Sequence, residues 1–389
     1  MRLAILGTRG IPARYGGFET FAEMIATSLA AFGVDVTVFC PAPSQRHDAT
    51  YRGVTLKYVV SLRLRSLSET VWDVLCFWKA RKGYDVVYML GVGAGFAAWI
   101  PRLHGAAVWI NPDGLEWKRK KWMWLQRMYL AAAEALSVRF ATRIIADSEA
   151  IAEYLREKYE KEKKITTISY GAVIPARPPD RALITKWRLS LRSYYIVVCR
   201  LEPENHVLEI IEGFEASRSS RQLVIVGDIG KHTSYIQGLV RHQSNQVRFL
   251  GTIYDKDELS ALRYYACAYV HGHSVGGTNP SLLEAMACSS LVMAHDNPFN
   301  REVLGACGLY WFTPRGVTAM INAVDELHVD ADTRRKQAVE IIRCQYTWEQ
   351  VTTAYADALQ DLCFAGDGIV VNELHAKVLR QKQKLTGEH

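Results

Sequence analysis

The stretch "LAILGTRGIPARYGGFETFAE", residues 3–23, decides the fold. A short apolar run, read as a strand, empties into a loop holding Gly7, Gly10, Gly16 and Gly17 together with Arg9 and Arg14, and then into a helical pattern over 18–32. Strand, Gly-rich loop and helix start in this order present backbone N–H groups and a positive helix end to whatever lies beyond the strand. That suits a phosphate-bearing ligand, a nucleotide or sugar nucleotide. The glycine spacing does not fit G-x-G-x-x-G, and no Gly-Lys-Ser/Thr ending follows, so dinucleotide binding and P-loop hydrolysis lose ground. Taken alone, the segment also reads as a surface loop whose glycines only satisfy turn geometry.

Outward from this unit the same alternation continues. "DVTVFC", "LKYVV", "DVVYML", "AVWIN", "RIIAD" and "KITTIS" read as strands, with helical patterns over 68–81, 121–140 and 148–160 between them. A second set follows: "YYIVVCR", "QLVIVGD", "VRFLG", "AYVHGH" and "LVMAHD", with helices over 205–217, 231–242, 255–265 and 280–287 and helices from there to the end. Strands this apolar have no wet face, which predicts an α/β fold of two doubly wound parallel sheets. The three prolines of "AVIPARPPDRALI" (172–184) mark the linker. The expected domains are 1–175 and 185–345, with 346–389 as a closing helix and tail.

The 389 residues exceed one ordinary core, and 49% hydrophobic with 22% charged residues exclude extended disorder. Residues 1–180 carry 25 Lys and Arg against 17 Asp and Glu, a surplus of eight, whereas 181–389 carry 22 against 23. The first half therefore faces an anionic partner such as a membrane surface or lipid diphosphate, or simply presents a solvated basic surface. Recognition-helix, zinc and stacking-platform motifs are missing, so no nucleic acid is expected. The cysteines (Cys40, Cys76, Cys199, Cys267, Cys288, Cys307, Cys344 and Cys363) form no C-x-x-C pair and read as reduced, buried thiols of a cytoplasmic protein. "VVYMLGVGAGFAAWI" (86–100), the longest apolar run, is too short and Gly-broken to span a bilayer, so membrane contact is expected only at the periphery.

Ligands of open α/β sheets sit beyond the carboxyl ends of strands, and the chemically loaded loops lie there. In "VGGTNPSLLEAMA" (275–287), Gly276, Gly277, Thr278 and Asn279 precede Pro280, a good first helical residue, so free N–H groups and the helix dipole are expected to meet a diphosphate. Glu284, one turn further in, is placed to accept hydrogen bonds from sugar hydroxyls, or is an ordinary helix glutamate. In "VVCRLEPEN" (197–205), Arg200 is set to neutralise phosphate and Asn205 to add a hydrogen bond, unless Arg200 only pairs with Glu202 or Glu204. His273 is a donor contact, while His271 reads as a satisfied structural histidine. In "NPDGLEWKRKKWMW" (111–124), Asp113 or Glu116 is a candidate to orient an acceptor hydroxyl, and Trp117, Lys118 and Arg119 to hold acceptor or membrane. "DAD" (330–332) reads as a helix cap rather than a metal site, and no metal or cofactor is expected.

Five ordered segments, "GTRGIPARYGGFETFAE" (7–23), "NPDGLEWKR" (111–119), "ADSEAIAEYL" (146–155), "RLEPEN" (200–205) and "HGHSVGGTNPSLLEAM" (271–286), together resemble the bacterial rhamnosyltransferase branch of the retaining GT-B glycosyltransferases of family 4. The resemblance implies two Rossmann-like domains facing across a cleft, acceptor on the first and donor nucleotide mainly on the second, with a C-terminal helix crossing back near 346–359. It implies a diphosphate grip at Arg200, where the usual partnering Lys is Asn205, and a ribose contact at Glu284. The family's other donor-contacting Glu is Gly276 here, as in the rhamnosyltransferase branch, which implies a 6-deoxysugar such as L-rhamnose carried on dTDP and passed to a glycan or polyprenyl-diphosphate-linked sugar. The loop over Gly16 and Gly17 is expected to close on the donor diphosphate. A UDP- or GDP-sugar donor, and a non-catalytic sugar-nucleotide binder, are the alternatives.

Overall fold

The computed structural model describes residues 1–13, 16–42, 49–61, 68–112, 114, 123–160, 165–230 and 233–364. Asp113, Glu116, Trp117, Lys118 and Arg119 lie outside the described residues, as do Arg14 and the tail from 365. The chain divides into two compact units: one runs to Tyr170 and resumes at Trp348, the other spans Gly171–Thr347.

The first unit is built on β1 (Arg2–Leu6), α1 (Gly17–Ala31), β2 (Asp35–Pro41), β3 (Thr50–Tyr51), β4 (Val54–Val59), α2 (Ser68–Lys79), β5 (Val86–Leu90), α3 (Trp99–Arg102), β6 (Ala107–Asn111), α4 (Trp124–Phe140), β7 (Arg143–Ala146), α5 (Glu149–Tyr159) and β8 (Ile165–Thr167). Its sheet has the order β3-β4-β2-β1-β5-β6-β7-β8 and is parallel except for the β3–β4 edge hairpin. Leu3 to Leu6 and all of β5 are buried, as central strands covered by helices on both faces must be.

The second unit contains α6 (Ala182–Thr185), β9 (Tyr194–Val198), α7 (Val207–Glu215), β10 (Gln222–Val226), α8 (Ser234–Val240), β11 (Val247–Gly251), α9 (Lys256–Tyr265), β12 (Ala268–His271), α10 (Pro280–Ala287), β13 (Val292–His295), α11 (Pro298–Leu304), β14 (Leu309–Trp311), α12 (Pro314–Asp325) and α13 (Ala331–Gln345). Its parallel sheet runs β11-β10-β9-β12-β13-β14. Tyr195, Ile210, Leu223, Met293 and Val317 meet in one core between sheet and helices. The last described helix, α14 (Trp348–Phe364), returns to the first unit: Tyr355 Oη lies 2.7 Å from Tyr88 Oη, and Arg143 reaches Asp361 at 3.4 Å.

Several local expectations are corrected. The helix read over 205–217 is split into a 3-10 turn (Pro203–Asn205) and α7, because His206 sits at φ +48° and cannot continue a helix. "GLYWF" is not helical: β14 forms the sheet edge after β13. The linker stretch includes the short α6. Cys344 is exposed and Cys199 half-buried, so the thiols are not uniformly interior. Asp330 does cap α13, accepting from Thr333 N at 3.1 Å.

Candidate functional site

Each sheet has one place where successive loops leave in opposite directions, and there a crevice opens beyond the strand ends. In the second unit it lies between β9 and β12, since the chain goes from β9 out to β10 and β11 and then returns to β12 on the other side. Arg200 follows β9 and the segment 272–279 follows β12. The two loops touch: Ser274 N and Oγ donate to Glu204 O at 3.1 and 3.0 Å, and His206 Nδ1 meets Gly272 O at 2.9 Å. In the first unit the corresponding place is between β1 and β5, which sets Gly7, at the start of one loop, against Leu90, at the start of the other.

Arg200 projects half-exposed, with Glu202 3.9 Å away, a separation that leaves its guanidinium open to an anion. Asn205 is different. It is buried, and its amide nitrogen donates one hydrogen bond to Arg200 O at 2.6 Å, which holds the loop. Within this loop Glu204 is also buried, and among the described residues neither of its carboxylate oxygens finds a hydrogen-bond partner.

At the other loop the structure revises the helix-terminus reading. Asn279 caps α10, its Oδ1 accepting from Ser281 N at 2.9 Å and its carbonyl from Leu282 and Leu283 N–H, while Pro280 has no N–H. The first-turn donors are thus consumed internally, and only the dipole is left to act outward. Donors come instead from the loop, where the peptide N–H groups of Gly276 and Gly277 meet no protein acceptor among the described residues. Gly276 sits at φ +128° and a Cβ there would meet nothing within 4 Å. Thr278 is buried beneath.

Glu284 is an ion-pair partner. It holds Arg263, a buried guanidinium, at 2.7 Å, and Arg263 also donates to Ser281 Oγ at 3.1 Å. Glu284 remains half-exposed, with room to accept from a further donor. Nothing in the spacing of α9 announced Arg263 as its partner.

Four histidines floor the site. His271 stacks on His273, and His206 on His295, each pair with centroids 4.5 Å apart. Burial, with His295 nearby, pushes His271 down to about 3; burial and His206 push His295 down to about 4. Both are therefore neutral at neutral pH. His271 is only half satisfied: its Nδ1 lies 3.4 Å from Tyr269 Oη, while its Nε2 finds no partner among the described residues. Asn297 and Asn300 fix the loop by donating to His273 O, both at 3.0 Å.

In the first unit Gly16 precedes α1 at φ +122°, where a Cβ would come within 2.0 Å of a Glu19 oxygen, and Gly17 is the first helical residue. Gly7 is a packing residue, its missing Cβ replaced by Leu90 O. Arg9 pairs with Glu69 at 3.1 Å on the surface. No group of three or more His, Cys, Asp or Glu among the described residues could hold a metal ion.

Residues 186–342 match the family model of glycosyl transferases group 1, and residues 1–173 match that of a domain of unknown function (DUF1972). No curated protein matches the chain. Among solved structures, sucrose-phosphate synthase from Thermosynechococcus elongatus superposes with a TM-score of 0.77 at 19% identity, covering 94% of this chain and 100% of that one. Anabaena HepE in complex with UDP and glucose gives 0.74 at 18%, covering 93% and 100%. An α,α-trehalose-phosphate synthase (UDP-forming) from Burkholderia vietnamiensis gives 0.71 at 13%, covering 93% and 100%. The chain has the GT-B glycosyltransferase fold, and the match to the glycosyl transferases group 1 model falls within its second unit.

Proposed function

We propose that this chain is a retaining glycosyltransferase that moves a sugar, L-rhamnose from dTDP-L-rhamnose, to a glycan or polyprenyl-diphosphate-linked sugar in cell-surface polysaccharide synthesis. The observation that carries the transferase reading is the convergence at one strand-end crevice of a half-exposed Arg200 and the open N–H groups of Gly276 and Gly277. A guanidinium, peptide donors and a helix dipole on two touching loops stabilise a departing nucleoside diphosphate without a metal ion. Glu284, steadied by Arg263, faces the ribose hydroxyls. Gly276 in place of a carboxylate leaves open space suited to a 6-deoxysugar.

The acceptor hydroxyl attacks the anomeric carbon from the face the phosphate leaves, and its proton passes to the leaving phosphate oxygen. Asp113 or Glu116 is the candidate to orient the hydroxyl, Trp117, Lys118 and Arg119 are the further acceptor residues, and Gly16 and Gly17 are the donor residues of the first unit. A cytoplasmic protein working at the inner membrane face fits such an acceptor.

Thermal stabilisation by a panel of nucleoside diphosphates and their sugars tests the reading. A selective shift with dTDP-L-rhamnose, lost in Arg200→Ala with the unliganded midpoint unchanged, is expected. A UDP-sugar preference, favoured by the UDP-containing HepE structure, would replace the donor. No shift with any of them would leave a non-catalytic protein or none of this chemistry.

A further inference from the structure

We propose that Glu202 binds the hydroxyl groups of the sugar carried by the donor nucleotide, and so sets how much the sugar adds to the donor's affinity. The assignment rests on the transferase reading and deepens it at one residue.

The two loops that touch at the crevice of the second unit have opposite needs. After β12, the peptide N–H groups of Gly276 and Gly277 meet no protein acceptor among the described residues. After β9 the surplus is of acceptors: Glu202 Oε2 and both carboxylate oxygens of Glu204 are buried, and none of the three finds a donor among the described residues. An ionised carboxylate can only accept, and one left without a donor away from water is costly. A ligand that serves both loops must therefore accept on one side and donate on the other. A nucleoside diphosphate accepts through its phosphates, and a sugar attached to it donates through its hydroxyls.

Of the two carboxylates, Glu202 is the one a ligand can reach. Glu204 is 4% exposed with both oxygens enclosed, whereas the side chain of Glu202 keeps 23%. Glu202 Oε1 lies 3.9 Å from Arg200 Nη1, beyond hydrogen-bond distance, so the carboxylate stands beside the guanidinium without being consumed by it. The backbone holds it there: Glu202 N donates to Arg200 O, and Glu202 O accepts from Asn205 N, both at 2.9 Å. Phosphate oxygens on Arg200 would repel this carboxylate. The hydroxyl groups linked to that phosphate would not. On α10, Glu284 is already engaged by Arg263, whereas neither oxygen of Glu202 accepts a hydrogen bond from the described residues. A Cβ at Gly276 would meet nothing within 4 Å, so the opposite loop leaves room for a bulky ring.

Isothermal titration of the full chain with dTDP, dTDP-L-rhamnose, UDP and UDP-glucose tests the assignment. The parent is expected to bind one sugar nucleotide more tightly than the bare diphosphate of the same base. Glu202→Gln, equal in size, should bind that diphosphate as the parent does and the sugar nucleotide roughly tenfold less tightly, the loss of a hydrogen bond to a charged group. Glu202→Ala should lose at least as much. Glu212→Gln, at an exposed position of α7, should bind as the parent does. Unchanged unliganded melting temperatures establish that the variants fold. The assignment is overturned, with the transferase reading intact, if the sugar adds nothing to the parent's affinity or if Glu202→Gln binds the sugar nucleotide as the parent does. It is equally overturned if Glu202→Gln weakens diphosphate and sugar nucleotide by the same factor, which marks a ribose contact or a loosened loop, or strengthens both, which marks a mere counter-ion of Arg200. A parent that binds none of the four nucleotides overturns the transferase reading, and the assignment with it.

Discussion

The Arg263–Glu284 pair makes a prediction about order as well as size. Arg263 is buried, Glu284 is half-exposed, and the two are 2.7 Å apart. Glu284→Ala strands a guanidinium in the interior, with only Ser281 Oγ left to it from the two contacts described above. Removing one partner of a buried pair costs about 3–5 kcal/mol, and the exposure of the glutamate, which lets some water in, sets the expectation at about 3 kcal/mol. Arg263→Met strands a carboxylate that water already reaches and fills the vacated volume with an apolar chain, so its cost should be about 1 kcal/mol. Glu284→Gln, which keeps an acceptor, should fall between. Native-state hydrogen exchange of peptides from α9 and α10 reads the opening free energy of this unit. If Arg263→Met costs as much as Glu284→Ala, water does not discriminate between the two ends and the reasoning fails. The point matters for function, because lost donor binding in Glu284→Ala would mix a missing ribose contact with a loosened helix. Glu284→Gln is the cleaner probe.

Three further outcomes are expected. His271 and His295 refuse protons that the unfolded chain accepts below its ordinary value near 6.5, so their contribution to stability should be constant above that pH and fall as pH drops toward 4. The loss attributable to His295 is on the order of 3 kcal/mol; urea unfolding against pH should show it, and His295→Gln should flatten the curve. Gly16→Ala, at φ +122° and against the Glu19 carboxylate, should cost about 1–3 kcal/mol and weaken donor stabilisation; a neutral result in unfolding titrations would mean that the α1 entry is not constrained. EDTA should leave transfer intact, whereas complete loss restored by magnesium would refute the metal-free account.

The parts legible in the sequence were those carried by local rules. Apolar runs buried on both faces announced β1, β5, β9 and β12, and Asn279-Pro280 and Asp330 announced helix starts through capping. β14 escaped because three residues carry no period. The bond that Asn205 makes within its own loop was hidden for a different reason: it depends on the carbonyl of Arg200, five residues back and across a turn. Arg263 was invisible because its partner lies 21 residues on, joined only by the packing of α9 against α10. Tertiary contacts of this kind leave no spacing to read.

Glycine shows most directly what sequence left open. Gly7, Gly272 and Gly276 look alike in Gly-rich loops after strands, yet a Cβ at Gly7 would lie 2.1 Å from Leu90 O and one at Gly272 2.0 Å from Asn205 O. At those two positions the chain itself occupies the missing side chain's place, and any substitution forces backbone apart. At Gly276 the space is open, so a large side chain would be tolerated by packing and excluded only by the φ of +128° or by a ligand. Asparagine tolerates the left-handed well near +57° but not φ +128°, so unfolding and ligand binding have to be read side by side to separate the two causes. Gly276→Asn should cost about 1–3 kcal/mol in unfolding titrations and, once folded, lose donor stabilisation. If the folded variant keeps donor stabilisation, the loop donors of Gly276 and Gly277 do not face the diphosphate, and the reading from which the transferase was argued loses one of its arms.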